Sequence, residues 1–328
     1  MTWRPWLDRG LAVLFLGLLG VGLVTVLRGQ DWTPLARLSA RLEPVEIALI
    51  LTAAVLVNGV GLIFGVLSWR ALFLDLGAPV GTWTAVRIFF VGFLTKFVPG
   101  RFVALPVLVR MGKAIDVGPV RLASVFVLSW GIVTLTGLTI GIAAGPAVAG
   151  LSTGWLLAAA LPTIALVIRP DLLNWGIRTG ARLLRRPPPA VAASRAGIRR
   201  SIAAQALSWV ISGHHLWLLA VVAGAPPARS YLVCVAGFAV AAVAGILVMI
   251  VPDGLGVREA VLAVGLATVM PLPLATTVVL ASRVVSVLTD VAVGTIGLAV
   301  AHHLHRRRHH PPHDQGVPQV VRATTGTP

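Results

Sequence analysis

Long apolar runs without any charged residue are the feature that most constrains how this chain can fold. Between Arg121 and Arg169 no residue is charged, and residues 11–27 are also uncharged and apolar. Runs of about 17–25 such residues are long enough to cross the hydrocarbon core of a bilayer as a helix. The mean hydropathy of +0.92 and a charged fraction of only 12% extend this pattern to the whole chain. We therefore predict an all-α polytopic membrane protein.

Basic residues lie beside the apolar runs rather than inside them. The chain has 27 Lys and Arg against 11 Asp and Glu, a formal net charge of +16. Cations that flank spans follow the positive-inside pattern and attract anionic lipid, which makes nucleic acid an unfavourable partner. Seven arginines in the loop 170–200 predict that this loop is cytoplasmic. We expect a multi-pass protein of the cell (inner) membrane with both termini in the cytoplasm. The single Cys234 excludes a disulfide framework.

About six full spans are predicted from the positions of the apolar runs. They cover residues 11–27, 45–69, 120–145, 153–169, 201–223 and 274–301. The first resembles a signal peptide, but no small-residue cleavage site follows it, so we interpret it as an uncleaved helix. Residues 171–186 could form an amphipathic surface helix or a solvated loop. The tail, 302–328, is basic and rich in His and Pro, and we predict that it is disordered.

A Pro-Gly break interrupts the apolar segment 85–111. Its centre, FLTKFVPGRFV, contains Lys96, Pro99, Gly100 and Arg101. Proline cannot donate to a helix ladder, and glycine adds backbone freedom at the same point. We predict two half-helices that re-enter from the cytoplasm, because this topology keeps the following cations inside. The alternative is a kinked helix whose two cations reach toward the surface.

The segment 231–270 contains a second break. Its first half is apolar, and the break residues are Pro252, Asp253, Gly254 and Gly256. The following stretch, 257–270, is short for a span. We predict a hairpin that enters from the outside, and a full span followed by a short returning span is the alternative.

The order of span, broken segment and span occurs twice. Repeat A covers about 45–145 and repeat B about 201–301, joined by the span 153–169 and the loop 170–200 within a membrane domain of residues 1–301. The second copy is predicted to enter from the opposite side. Such an inverted repeat, with breaks at corresponding places, is typical of transporters.

Charged residues at the breaks and in the last span are the candidate substrate-binding groups. They are Lys96, Arg101, Arg258, Glu259, Arg283 and Asp290. An Arg at the bilayer centre costs about 2.5–3.5 kcal/mol on insertion scales, so it should be paired or face a cavity. Guanidinium groups suit phosphate, and half-helix N-termini add N–H donors. This combination predicts binding of a phosphate-bearing lipid headgroup.

Structural and proton-coupling roles are the alternatives for the same residues. Arg258 could pair with Asp290 or Glu259, and Arg283 with the other carboxylate. Asp290 and Glu259 could instead carry protons. His214 and His215 lie within a span, where a functional role and a packing role are both open. The tail histidines lack an ordered metal-ligand spacing, and we expect no metal, cofactor or catalytic residue.

Two motifs resemble a known family. KFVPGR at 96–101 and PDGLGVREA at 252–260, followed by the helix with Arg283 and Asp290, are similar to the lysylphosphatidylglycerol synthase transmembrane-region family, also called flippase-like. By position, its signature residues are Lys96, Pro99, Gly100, Pro252, Gly254, Gly256, Arg258 and Glu259. Phe97 stands where Tyr is common. Asp253 stands where Gly is common, which adds a negative charge beside the predicted anion site.

The resemblance implies lipid translocation or lipid binding rather than an enzyme. Bifunctional members carry a soluble aminoacyl-transferase domain, and we expect none in this chain. The expected partner is an anionic or phosphate-bearing membrane lipid, with a homo-oligomer or an envelope-synthesis protein as further partners. Two alternatives are an integral-membrane transferase or hydrolase on lipid-linked sugars, and an accessory subunit of a cell-envelope lipid synthase.

Overall fold

A computed structural model describes residues 31–76, 81–94, 96, 112, 117–143, 153–183, 185, 192–248 and 252–309. These residues form helices joined by turns, without any strand, which confirms the predicted fold class. The helices are α1 (Thr33–Ser39), α2 (Pro44–Asp75), α3 (Thr82–Leu94), α4 (Pro119–Ala143), α5 (Thr153–Ile168), α6 (Asp171–Leu183), α7 (Arg195–Val222), α8 (Pro227–Leu247), α9 (Val257–Leu266) and α10 (Leu272–His309).

Five helices in the described ranges are long and apolar enough to cross a membrane. They are α2, α4, α7, α8 and α10. The chain is therefore a multi-pass membrane protein. Helix α5 has 16 residues and contains Pro162, so it is shorter than these five. The predicted first span, 11–27, lies outside the described residues.

Local capping decides where two of the long helices begin. Pro44 opens α2, and the Glu46 side chain accepts the Glu43 backbone N–H at 3.0 Å. Ser194 caps α7, because its Oγ accepts the Gly197 N–H at 3.0 Å. The α7 helix therefore starts six residues before the predicted span at 201.

Helices α2 and α7 pack antiparallel at the centre of the bundle. Ser208 Oγ donates to Gly61 O at 2.8 Å, and Ser68 Oγ donates to Ser201 O at 2.9 Å. Ser68 and Ser208 lie 140 positions apart in the chain, as do Gly61 and Ser201. A two-fold rotation that relates the two helices would therefore exchange the two hydrogen bonds.

The contacts of the other helices follow the same two-fold relation, which exchanges α2 with α7, α3 with α8 and α4 with α10. Helix α3 packs on α10, and α8 packs on α4. Helix α2 also contacts α4 and α10, and α7 contacts α10 and α4. Within these six helices, each contact made by α2, α3 or α4 thus has a counterpart made by α7, α8 or α10. This is the relation that the predicted inverted repeat requires of these six helices.

The two broken segments are described to different extents. Helix α3 ends at Leu94, and of the following stretch only Lys96 and Gly112 are described, so Pro99, Gly100 and Arg101 lie outside the described residues. In the second segment α8 ends at Leu247, and α9 folds back against α8 after the break. Both alternatives for this segment contain that return. The 21 residues of α8 are long enough to span.

Two peripheral regions refine the expectations. Residues 171–183 form a helix with exposed Leu172 and Trp175 beside exposed Arg178, which favours the amphipathic-helix alternative over the solvated loop. Helix α10 continues to His309. The last helix thus extends past residue 301, where the tail was predicted to begin, and the disorder of the tail stays a prediction. Residues 310–328 lie outside the described ranges.

Candidate functional site

The break between α8 and α9 has an unusual backbone. Asp253 has a φ of 48° and a ψ of 27°, and Gly254 and Gly256 have φ values of 63° and 86°. Asp is among the few residues other than Gly that visit this left-handed region routinely. A Cβ on Gly254 would lie 2.3 Å from Gly245 Cα, so only glycine fits there. This geometry explains why the motif needs glycines, and it positions the Asp253 side chain among cations.

Asp253 is the centre of a buried charge cluster. Its Oδ2 lies 2.9 Å from Arg283 Nη1 and 3.4 Å from Arg258 Nη1, and its Oδ1 lies 3.7 Å from Lys96 Nζ. Arg283 Nη1 also lies 3.4 Å from the Asp253 carbonyl oxygen. The carboxylate is only 7% exposed. One acidic side chain therefore bridges cations from α9, α10 and the segment after α3.

Two further carboxylates complete the cluster. Lys96 Nζ donates to Asp290 Oδ2 at 2.6 Å, and Arg283 Nε lies 3.5 Å from Glu259 Oε1. Glu259 also accepts the Gly256 N–H at the start of α9, so this N-terminus is already capped. Three cations and three carboxylates thus balance in charge among the described members of the cluster.

The observed pairs differ in part from the predicted ones. Arg283 pairs with Glu259 as one alternative proposed, but Arg258 pairs with Asp253 rather than with Asp290 or Glu259. Sequence reasoning placed Asp253 among the break residues and noted its negative charge beside the predicted anion site, but it did not predict the central position of this side chain. The signal in the sequence was a carboxylate at a position where the family that the chain resembles usually has glycine. Arg101 lies outside the described residues.

A cavity of about 300 Å³ begins at this cluster. Lys96, Asp253, Arg258 and Asp290 form its charged end. Aromatic side chains form much of the remaining wall, contributed by α2, α3, α4, α7 and α8: Trp69, Phe89, Phe93, Phe126, Trp130, Trp209 and Phe238. The Lys96 ammonium also lies 4.0 Å from the centre of the Phe93 ring. The cavity is therefore amphiphilic, because charged side chains and apolar rings both line it.

The two adjacent histidines make hydrogen bonds within the helix bundle. His215 is fully buried, its Nδ1 donates to the Ser212 carbonyl, and its Nε2 accepts from Ser282 Oγ at 2.8 Å. His214 donates from Nδ1 to Val210 O at 2.7 Å and lies 3.2 Å from Tyr231 Oη. Neither ring lines the cavity. These bonds favour the packing alternative over a functional one.

Comparison with known proteins identifies a family. The profile of a family described as Lysylphosphatidylglycerol synthase TM region matches residues 10–294. No curated protein matches the chain.

Proposed function

The chain belongs to the lysylphosphatidylglycerol synthase TM region family, and we propose that it binds the phosphate-bearing headgroup of a membrane lipid and moves it across the membrane. The family supports a role in a lipid-related process at the membrane. The observation that carries the finer proposal is the charge cluster at the end of an amphiphilic cavity.

The position of the cluster supports a functional role. Asp290 and Arg283 lie inside Leu272–His303, the apolar part of α10. Each charged side chain at bilayer depth is costly, and such groups gather where substrates or ions pass. Buried ion pairs are in addition weak contributors to stability. A cluster of six charged groups beside a cavity is therefore difficult to explain as a packing device.

The geometry of the arginines supports phosphate as the ligand group. Nη1 atoms of Arg258 and Arg283 approach the same oxygen of Asp253 from two helices. Phosphate oxygens accept such charge-assisted bonds from guanidinium groups as carboxylate oxygens do. A headgroup phosphate that replaces the Asp253 carboxylate would find donors already positioned. A volume of about 300 Å³ is at the lower end of ligand pockets and suits a headgroup rather than a whole lipid.

The two-fold relation between the helix contacts supports movement of the lipid across the membrane as well as its binding. In transporters built from inverted repeats, one repeat rocks against the other around a fixed site. The cavity is lined by residues of α2, α3 and α4 from the first group of helices and by residues of α7, α8, α9 and α10 from the second. Rocking of these two groups would open the cavity first to one leaflet and then to the other.

Purified protein in liposomes tests the proposal. We expect a fluorescent phospholipid labelled on its acyl chain to become fully accessible to external dithionite, because the protein carries inner-leaflet lipid outward. In protein-free vesicles only the outer leaflet should bleach. Bleaching that stops at the outer leaflet with the protein present would contradict the proposal. Chromatography of the same lipids would detect a new product, which would instead support a transferase or hydrolase.

We further propose that the basic loop 170–200 and both termini face the cytoplasm. In this topology a cysteine introduced at the exposed Thr179 should react with an impermeant maleimide only after the cells are opened. The native Cys234 is buried, so the parent protein should stay unlabelled and serves as the control. Labelling of Thr179→Cys in intact cells would show that the loop 170–200 faces the outside of the cell and would contradict the proposed orientation.

A further inference from the structure

We propose that helix α6, Asp171–Leu183, binds the surface of the bilayer next to α5 and recognises the anionic phospholipids there. The helix lies in the plane of the headgroups. This site is separate from the cavity, and the proposal does not depend on the proposed function. It comes from the orientation of α6, which turns a polar side chain toward the protein and apolar side chains outward.

Polar contacts on the inner face of α6 fix which side of the helix points outward. The Asn174 side chain is only 7% exposed. Its Nδ2 donates to Ala193 O at 2.7 Å, and its Oδ1 accepts the Ala193 N–H at 3.0 Å. Asp171 Oδ2 lies 2.7 Å from Nη2 of Arg195, the first residue of α7. The face opposite Asn174 is therefore turned away from the helix bundle.

The outward face of α6 is apolar. Leu172 and Leu183 are eleven positions apart, which is three helical turns, and Trp175 follows Leu172 by three positions. Their exposed fractions are 47%, 66% and 86% for Leu172, Trp175 and Leu183. Gly176 and Thr179 lie between these large side chains, so the apolar strip is shallow and enters the headgroup layer rather than the acyl chains. Exposed apolar surface of this kind marks an interaction site.

Continuity with α5 identifies lipid as the partner of this strip. Val167 and Ile168 are exposed at the end of α5, which is predicted to span the membrane. The chain then turns at once, because the Leu172 N–H donates to Arg169 O at 3.1 Å. The strip of α6 thus begins within one turn of the apolar surface of α5. Trp175 is also of the residue type that concentrates at the boundary between membrane and water.

Arginines along one edge of the strip supply the charge that an anionic surface attracts. Arg178 and Arg182 are exposed and lie one helical turn apart. The only carboxylate in the segment 169–185 is Asp171, and it pairs with Arg195. Helices with Trp and Leu on one face and arginines on the other bind anionic membrane surfaces in this way. Each arginine near such a surface strengthens binding about fivefold.

A fluorescent dye on α6 of the full-length protein tests the proposal. Leu183→Cys is labelled with the dye NBD, because position 183 is exposed and the native Cys234 is buried. Acrylamide, a neutral quencher that stays in water, is added to nanodiscs of phosphatidylcholine alone or mixed with phosphatidylmethanol, an anionic lipid with a minimal headgroup. We expect the anionic lipid to lower the quenching constant at least about fivefold, since two arginines favour the bound helix about 25-fold. Salt at about 1 M should restore the quenching, because it screens the charges.

Three double variants locate the charge that is responsible. Arg178→Gln with Arg182→Gln should be quenched as strongly with the anionic lipid as without it. Arg178→Lys with Arg182→Lys keeps the positive charge and should be protected like the parent. Arg37→Gln with Arg41→Gln removes the same charge from exposed positions outside α6 and should also behave like the parent.

Three results would overturn the proposal. Equally strong quenching in both kinds of nanodisc would show that α6 stays in water. Equal protection in both, or protection that survives in Arg178→Gln with Arg182→Gln, would show that the strip binds without recognising charge. Protection found only in nanodiscs with two copies of the protein would assign the strip to a second copy of the chain. None of these results measures lipid movement, so they leave the proposed function untouched.

Discussion

Arg283→Gln will abolish lipid movement, with a loss of at least about a hundredfold in the liposome assay. Arg283 donates to Asp253 and contacts Glu259, and its guanidinium is 17% exposed. In a binding interaction, truncating one partner of a buried, hydrogen-bonded charge pair costs about 3 kcal/mol, within the range of about 2–5 kcal/mol that such truncations show. A loss of that size in headgroup binding corresponds to two or more powers of ten.

A surface pair with the same chemistry provides the matched control. Arg195 Nη2 lies 2.7 Å from Asp171 Oδ2, but these side chains are 70% and 57% exposed. Exposed pairs contribute about 0–1 kcal/mol, so Arg195→Gln should move lipid at the parental rate. Arg283→Lys keeps the positive charge but loses the planar guanidinium group. Its rate of lipid movement should therefore lie between the rates of the parent and of Arg283→Gln. Parental activity of a well-folded Arg283→Gln protein would refute the role of the cluster.

Asp253→Gly will tighten the binding of anionic lipid by about tenfold or more. The carboxylate occupies the guanidinium donors of Arg258 and Arg283 that a phosphate would need, so its removal leaves them available and adds one positive charge to the cluster. Glycine adopts the left-handed backbone of this position without strain, so the break itself is preserved. Titration of nanodiscs with phosphatidylmethanol measures the change.

Two variants locate the origin of this effect. Asp253→Asn removes the charge but keeps the shape of the side chain, and it should also bind anionic lipid more tightly. Asp171→Asn removes an exposed carboxylate of the surface pair and should bind like the parent. Weaker anion binding in Asp253→Gly would mean that the carboxylate orients the arginines instead of competing with the ligand.

The sequence predicted those features that depend on local chemistry. Whether a stretch lies in lipid depends on its own hydrophobicity, so four predicted spans match α2, α4, α7 and α10, which are long enough to cross a membrane. Helix α8 is also long enough to span, as the alternative for 231–270 required. The break at Pro252–Gly254 was equally predictable, because proline and glycine act on the backbone next to them. The candidate residues Lys96, Arg258, Glu259, Arg283 and Asp290 do meet in one cluster.

Only the tertiary structure decided which charges pair and what faces the cavity. Lys96 and Asp290 are 194 positions apart, and the central place of Asp253 depends on a left-handed turn between two packed helices. The place of Asn58 and Gln205 in the cavity wall is likewise invisible in sequence, since an isolated Asn or Gln in a span is equally expected at a helix contact. Electrostatic and hydrogen-bonding partners act over a few ångströms in space, and that proximity arises from helix packing rather than from neighbouring positions in the chain.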